Sequence, residues 1–204
     1  MSYLIVIEGL DGSGTTTQTD LLVERLLSEG YDVLGTYEPR GPLEPEIRDC
    51  IDSSRTFYLP WYFAAARAWH LANIIEPELQ TGRIVVCDRY YLSSLAYQAI
   101  NRSMEFVWSL NKFFRRPHLT ICLNLSPEEC VERMADRATH DPFETLTSLK
   151  VVAESYRHAI EFCRDRGEVV VELCGNASKE QVHDQIWREL EKRRVVRKKA
   201  EPEL

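Results

Sequence analysis

The chain has 204 residues, 44% of them hydrophobic and 28% charged, with a net charge of −7. That length and apolar content suffice for one globular domain with its own core, needing neither disulfide nor metal staples, and the acidic balance argues against a broad nucleic-acid groove. No apolar run approaches the roughly 18 residues that span a bilayer, and no charged leader with an apolar stretch opens the chain, so a soluble cytoplasmic protein with neither nucleic acid nor membrane as partner is expected. The six cysteines (Cys50, Cys87, Cys122, Cys130, Cys163, Cys174) form no C-x-x-C pair and read as reduced core residues. The five histidines share no metal-ligand spacing and read as surface or packing residues.

An apolar run, Leu4 to Ile7, leads into Gly9, Gly12 and Gly14 and then into three threonines that open a helical pattern. Strand, glycine loop and helix in that order make a phosphate cradle, because backbone N–H groups freed by glycine point inward at the positive end of a helix. Leu22, Leu26 and their neighbours carry the first helix up to Gly30. A second strand over Asp32 to Tyr37 delivers Glu38-Pro39-Arg40-Gly41 to its C-terminal end, where ligands collect in open α/β sheets. Glu44 to Ile51 is a short helix carrying Arg48. Pro60 to Gln80 is a longer one, whose Pro77 should kink or shorten the last turns. Its run from Trp61 to Ile75 is apolar on more than one face, which predicts burial against the sheet and against a second subunit.

Ile84 to Asp88 is an apolar strand ending in a carboxylate, and a helix begins near Ser93. Leu119 to Leu125 is a fourth strand, closed by the capping box Ser126-Pro127-Glu128-Glu129, and the helix that follows carries Arg133 and Arg137 on one face. Asp141-Pro142 interrupts the pattern before a helix through Tyr156 and Ile160; Val169 to Leu173 is a fifth strand, and Ser178 with Gln181 caps the last helix. The basic cluster from Lys192 to Lys199 reads as a helix end followed by a solvated tail. Strands that alternate with helices and are almost wholly apolar predict a parallel sheet covered on both faces.

Gly9 to Thr16 matches G-x-x-x-x-G-K-[ST] except that Thr15 stands in the lysine position. Thr16 and Asp88 are placed to hold Mg²⁺. A neutral hydroxyl at Thr15 leaves charge on the phosphates to be neutralised from elsewhere, and Arg40, Arg133 and Arg137 are the candidates, Arg137 first among them. A second reading pairs Arg133 and Arg137 with Glu129, Glu132 or Asp136 on a solvated face.

Ile7 to Gly14, Glu38-Pro39, Phe63-Ala64-Ala65-Ala66-Arg67 and Asp88-Arg89-Tyr90 with Ser93-Ser94-Leu95-Ala96-Tyr97-Gln98 together resemble thymidylate kinases, and the resemblance runs along nearly the whole chain. It implies that Phe63 stacks on the thymine while Arg67 and Ser94 bond its edge, that Arg89 and Arg48 grip the acceptor phosphate, and that Tyr97 and Gln98 border sugar and base. It also implies Asp11 near the sugar 3′-hydroxyl and the metal, and Glu38, with Arg40, beside the acceptor. Pro142 stands where the family's lid usually has arginine, and Arg40-Gly41-Pro42 where many members have G-G-T-P.

The expectation is therefore a three-layer α/β P-loop fold, one domain over 1–204 with a five-stranded parallel sheet and a small helical lid at about 133–148. The expected activity is transfer of the γ-phosphoryl of ATP to dTMP with Mg²⁺, in a homodimer. Gly9, Asp11, Gly12, Ser13, Gly14, Thr15, Thr16, Thr17, Arg133 and Arg137 would hold ATP, and Asp11, Arg89 and Arg137 would act in catalysis. A catalytically weak nucleotide-binding protein of the same fold and a kinase for another nucleoside monophosphate remain as alternatives.

Overall fold

A computed structural model describes residues 2–135 and 145–196. Arg137, His140, Pro142 and most of the expected lid lie outside the described residues, as do Arg197, Lys198 and Lys199.

Five strands, β1 (Tyr3–Gly9), β2 (Val33–Tyr37), β3 (Ile84–Asp88), β4 (Leu119–Asn124) and β5 (Val170–Cys174), form one sheet in the order β2-β3-β1-β4-β5. Every neighbouring pair is parallel. Strict alternation along each strand divides the core in two. Ile5 and Ile7 of β1, Ile84 and Val86 of β3, and Leu119, Ile121 and Leu123 of β4 face the helices α1 (Thr15–Ser28) and α9 (Lys179–Lys192) through Leu22, Leu26, Ile186 and Leu190. Leu4, Val6, Val85, Cys87 and Cys122 face the other way, onto α5 (Tyr91–Tyr97), α7 (Pro127–Met134) and α8 (Leu146–Arg164). Both faces of the central strands are thus covered, which is why they read as continuous apolar runs.

The remaining helices build the wall beside β3: α2 (Glu44–Asp52), α3 (Leu59–His70), α4 (Glu76–Gln80) and α6 (Met104–Asn111). Sequence reading did not identify α6, which Ser103 caps by accepting from the Phe106 amide at 3.2 Å. The single helix expected from Pro60 to Gln80 is present, but α3 passes into a π-helical turn, Leu71–Ile75, before α4. Pro77 does not end the helix. The Glu76 N–H reaches back to the Leu71 carbonyl, and the wider turn just before Pro77 accommodates a residue that has no N–H to give. Five cysteines are buried as expected. Cys174, at the end of edge strand β5, is exposed instead.

Because all strands run the same way, their C-terminal ends meet at one edge. Ile7 pairs with Asp88, and Asp88 with Tyr37, so the glycine loop after β1, the Asp88-Arg89 step and Glu38 emerge side by side.

Candidate active site

The loop after β1 is built for close approach. Gly12 has φ +85°, and a Cβ there would lie 2.6 Å from the Cys130 carbonyl oxygen of α7. Gly14 (φ +96°) is the left-handed residue that opens α1, and the Ser13 amide closes the turn onto the Leu10 carbonyl at 3.0 Å. Thr15 is buried at the first turn of α1, while Thr16 and Thr17 are exposed. Thr16 donates its hydroxyl hydrogen to Asp88 Oδ2 at 2.5 Å. The other oxygen, Asp88 Oδ1, is buried without a hydrogen-bond partner, and so is the Ser13 hydroxyl inside the loop. A hydroxyl and a carboxylate side by side, with one carboxylate oxygen left unsatisfied, form a donor set that suits a hard divalent cation.

Arg133 sits against the same loop. Its Nη1 reaches the Ser13 carbonyl at 3.4 Å and its Nη2 the Gly175 carbonyl at 2.9 Å, so the guanidinium joins the loop to the end of β5. A helical repeat places it there: the capping box of Ser126 and Glu129 fixes the start of α7, and Arg133 follows two turns later on the same face. Arg133 is thereby held by the loop, with no ion pair to Glu129 or Glu132; Asp136 and Arg137, the other members of that reading, lie outside the described residues.

Arg89 has a left-handed backbone (φ +66°), which in a non-glycine residue costs about 1–2 kcal/mol. The conformation lets its amide bond the Ile7 carbonyl at 2.8 Å and turns its side chain back over the loop. The guanidinium donates to the Gly9 carbonyl at 2.9 Å and to Asp11 Oδ1 at 2.6 Å. Tyr97 donates to the second oxygen of Asp11 at 2.6 Å. Burial works against the charge of Arg89, but Asp11, Tyr97, Tyr156 and Glu8 outweigh it and hold the group firmly protonated.

Behind this pair lies Glu8, wholly buried and unassigned by sequence reading. It accepts from the Tyr90 amide at 2.8 Å, the Ser93 amide at 3.1 Å, the Ser93 hydroxyl at 2.6 Å and the Tyr156 hydroxyl at 3.1 Å. Burial raises its pKa from 4.5 to about 7, against the opposing pull of the Ser93 hydroxyl and the Arg89 charge. Tyr156, read from sequence as a core position of α8, thus joins Glu8, Ser93 and Arg89.

Beyond Arg89 opens a cavity of about 340 Å³. Phe63, Arg67, Arg89, Ser94, Tyr97, Gln98, Asp11 and Glu38 all line it, so eight residues drawn from distant stretches of sequence converge on one space. Phe57, Pro60 and Arg102 are among the other residues that line it. Gln98 Oε1 is buried with no partner. Arg40 and Arg48 are not brought into this cavity: Arg40 lies over the Tyr37 ring at 5.0 Å, in the groove that contains Thr16 and Asp88, and Arg48 is exposed on α2. Arg67 meets Glu38 at 2.7 Å, and the buried His70 stands behind Glu38 at 3.3 Å. His70 and Asn111 also escaped sequence reading, one as a packing histidine and the other in a stretch with no predicted element.

A phosphate-type loop with a hydroxyl–carboxylate pair, joined through Asp11 and Arg89 to an aromatic and arginine-lined pocket, can hold two anionic nucleotides next to each other. A family model described as Thymidylate kinase matches residues 7–186. Among curated proteins, the chain is 40% identical over 195 residues to a "Probable thymidylate kinase" of Pyrococcus abyssi, covering 90% of this chain and 93% of that protein. It is 36% identical over 194 residues to a "Probable thymidylate kinase" of Staphylothermus marinus, covering 93% of each. It is also 40% identical over 148 residues to a "Thymidylate kinase" of Syntrophotalea carbinolica, covering 67% of this chain and 68% of that one.

Proposed function

Because the chain belongs to the thymidylate kinase family, we propose that the cavity beyond Arg89 is its dTMP site and the glycine loop its ATP site, the two facing each other across Asp11 and Arg89. The activity is ATP-dependent phosphorylation of dTMP to dTDP, a phosphotransfer between nucleotides. The observation that carries the assignment of the two sites is the Asp11–Arg89 contact at 2.6 Å, since one residue belongs to the loop and both line the cavity. Two polyanions brought in line repel each other, and a guanidinium at their junction offsets that repulsion in the transition state.

Within the dTMP site, Phe63 stacks on the base, Arg67, Ser94 and Gln98 meet its polar edge, and Tyr97 with Asp11 borders the sugar. Within the ATP site, the loop amides from Gly9 to Thr17 surround the phosphates, with Arg133 supplying charge that Thr15 does not. Thr16 and Asp88 would hold Mg²⁺; the unpartnered Asp88 Oδ1 supports that fit. The bound ion would supply charge neutralisation on the phosphoryl oxygens. The exposed stripe of Trp61, Ala65, Ala68, Trp69 and Ala72 on α3 and the turn that follows supports a homodimer. No helix among the described residues is long and apolar enough to cross a membrane.

A coupled assay of ADP release with dTMP, dUMP, dCMP and dGMP tests the reading. It expects dTMP to be turned over with the highest kcat/KM. ATP binding without turnover of any monophosphate would instead support a regulatory protein, a reading that Thr15 motivates. Preference for another base would reassign the cavity.

A further inference from the structure

Arg67 is 2% exposed, and its guanidinium is enclosed by acceptors. Nε and Nη2 both meet Glu38 Oε2 at 2.7 Å, Nη2 donates to the Ser94 hydroxyl at 3.1 Å, and Nη1 donates to Asn111 Oδ1. Two of these partners are themselves fixed from behind. Asn111 donates its Nδ2 to the Val107 carbonyl of its own helix at 2.8 Å, which leaves only its carbonyl oxygen to present to Arg67. Glu38 Oε1 faces His70 Nδ1 at 3.3 Å, and His70 Nε2 contacts the Thr36 hydroxyl at 2.8 Å. His70 is 0% exposed and Asn111 is 1% exposed. Neither lines the cavity, so each can reach a bound acceptor only through Arg67 or Glu38.

We propose that Asn111 and His70 are positioning residues that clamp the Arg67 guanidinium in one orientation and thereby set which pyrimidine this kinase accepts. The inference rests on the cavity being the dTMP site. Arginine is donor-only, so the base edge it meets must present acceptors. Thymine and uracil have a carbonyl oxygen at ring position 4; cytosine has an amino group there. A guanidinium free to rotate could turn aside from that amino group, whereas a clamped one leaves donor facing donor in a buried site. The clamp therefore governs discrimination against dCMP. Discrimination against dUMP, which lacks only the thymine methyl, depends on apolar packing and is independent of it.

The test is kcat/KM for dTMP, dCMP and dUMP in the wild-type protein and in Asn111→Leu, His70→Leu and His70→Asn. In the two leucine variants the dTMP/dCMP ratio should fall by about tenfold or more while the dTMP/dUMP ratio and the KM for ATP stay within about twofold. His70→Asn can place an amide nitrogen near the former Nδ1, so it should retain most of the discrimination. An unchanged dTMP/dCMP ratio in folded leucine variants overturns the proposal, and so does an equal fall in both ratios, which would mark general damage to the cavity. If Asn111→Leu does not fold, Asn111→Ser carries the same expectation and the same refutation. Absence of dTMP turnover by the wild-type protein would be a different failure, that of the cavity assignment itself.

Discussion

Replacing Glu8 by glutamine should remove a pH dependence of stability that originates in one side chain. The folded-state pKa of Glu8 is raised from 4.5 to about 7 by burial. Between those values the folded protein binds a proton that the unfolded chain has released. The associated stability is therefore fully present below about pH 4.5 and lost as pH rises through 7. At about 1.4 kcal/mol per pH unit, the loss amounts to roughly 3 kcal/mol by pH 8. Glutamine fits the same site. Its carbonyl can accept the Tyr90 and Ser93 amides that Glu8 Oε1 accepts, and its NH₂ can donate to the Ser93 and Tyr156 hydroxyls, which can turn to receive it. Urea unfolding of wild type and Glu8→Gln at pH 5 and pH 8 measures the effect. The variant should exceed the wild type by less than about 1 kcal/mol at pH 5 and by roughly 3 kcal/mol at pH 8. Curves that stay parallel between those pH values would refute the argument that burial keeps this carboxyl protonated near neutrality.

Thr15→Lys should raise kcat by no more than about threefold, since Arg133 already lies against the loop at Ser13; a gain of about 100-fold in steady-state turnover would mean that the charge had been missing. Arg133→Ala should lower kcat by about 10²–10³ and leave the KM for dTMP nearly unchanged, because Arg133 touches the loop and not the acceptor cavity; an unaltered kcat would return it to a structural role. Gly12→Ala combines a φ of +85° with a Cβ 2.6 Å from the Cys130 carbonyl, and should cost about 1–3 kcal/mol in urea unfolding as α7 is pushed off the loop.

Strands and the loop were legible in the sequence because their signals are local. A parallel strand buried on both faces must be a continuous apolar run, and Gly9, Gly12 and Gly14 announce a backbone that other residues would strain. The residues that escaped notice act across long separations. Glu8 meets Tyr156 148 positions away, and nothing in the periodicity of α8 distinguishes a core tyrosine from one whose hydroxyl ends on a buried carboxylate. Asn111 closes a helix of only eight residues, followed directly by Lys112-Phe113-Phe114-Arg115-Arg116, a mixture that carries neither a helical nor a strand period. The arginines separated in an instructive way. Arg67 reached the cavity from the buried side of α3, and Arg89 from the step that follows the wholly buried β3, both places where a guanidinium must find a partner. Arg48 lies on the outer face of α2, where it needs none.

On the proposed assignment of the ATP site, Thr15 changes the division of labour at the loop. A lysine in that position moves with α1 and carries its charge to the phosphates on a flexible stem. Here the guanidinium beside the loop belongs to α7, whose position is set by β4 and the capping box of Ser126 and Glu129. Its two carbonyl contacts, at Ser13 and Gly175, tie the loop to the end of β5 before any nucleotide is present. Charge and loop geometry are then coupled: whatever shifts α7 shifts both. If Arg133 serves the phosphates as proposed, a threonine at this position is compatible with the chemistry because the charge arrives from the side, at a site where a lysine and Arg133 together would place two cations against one short loop.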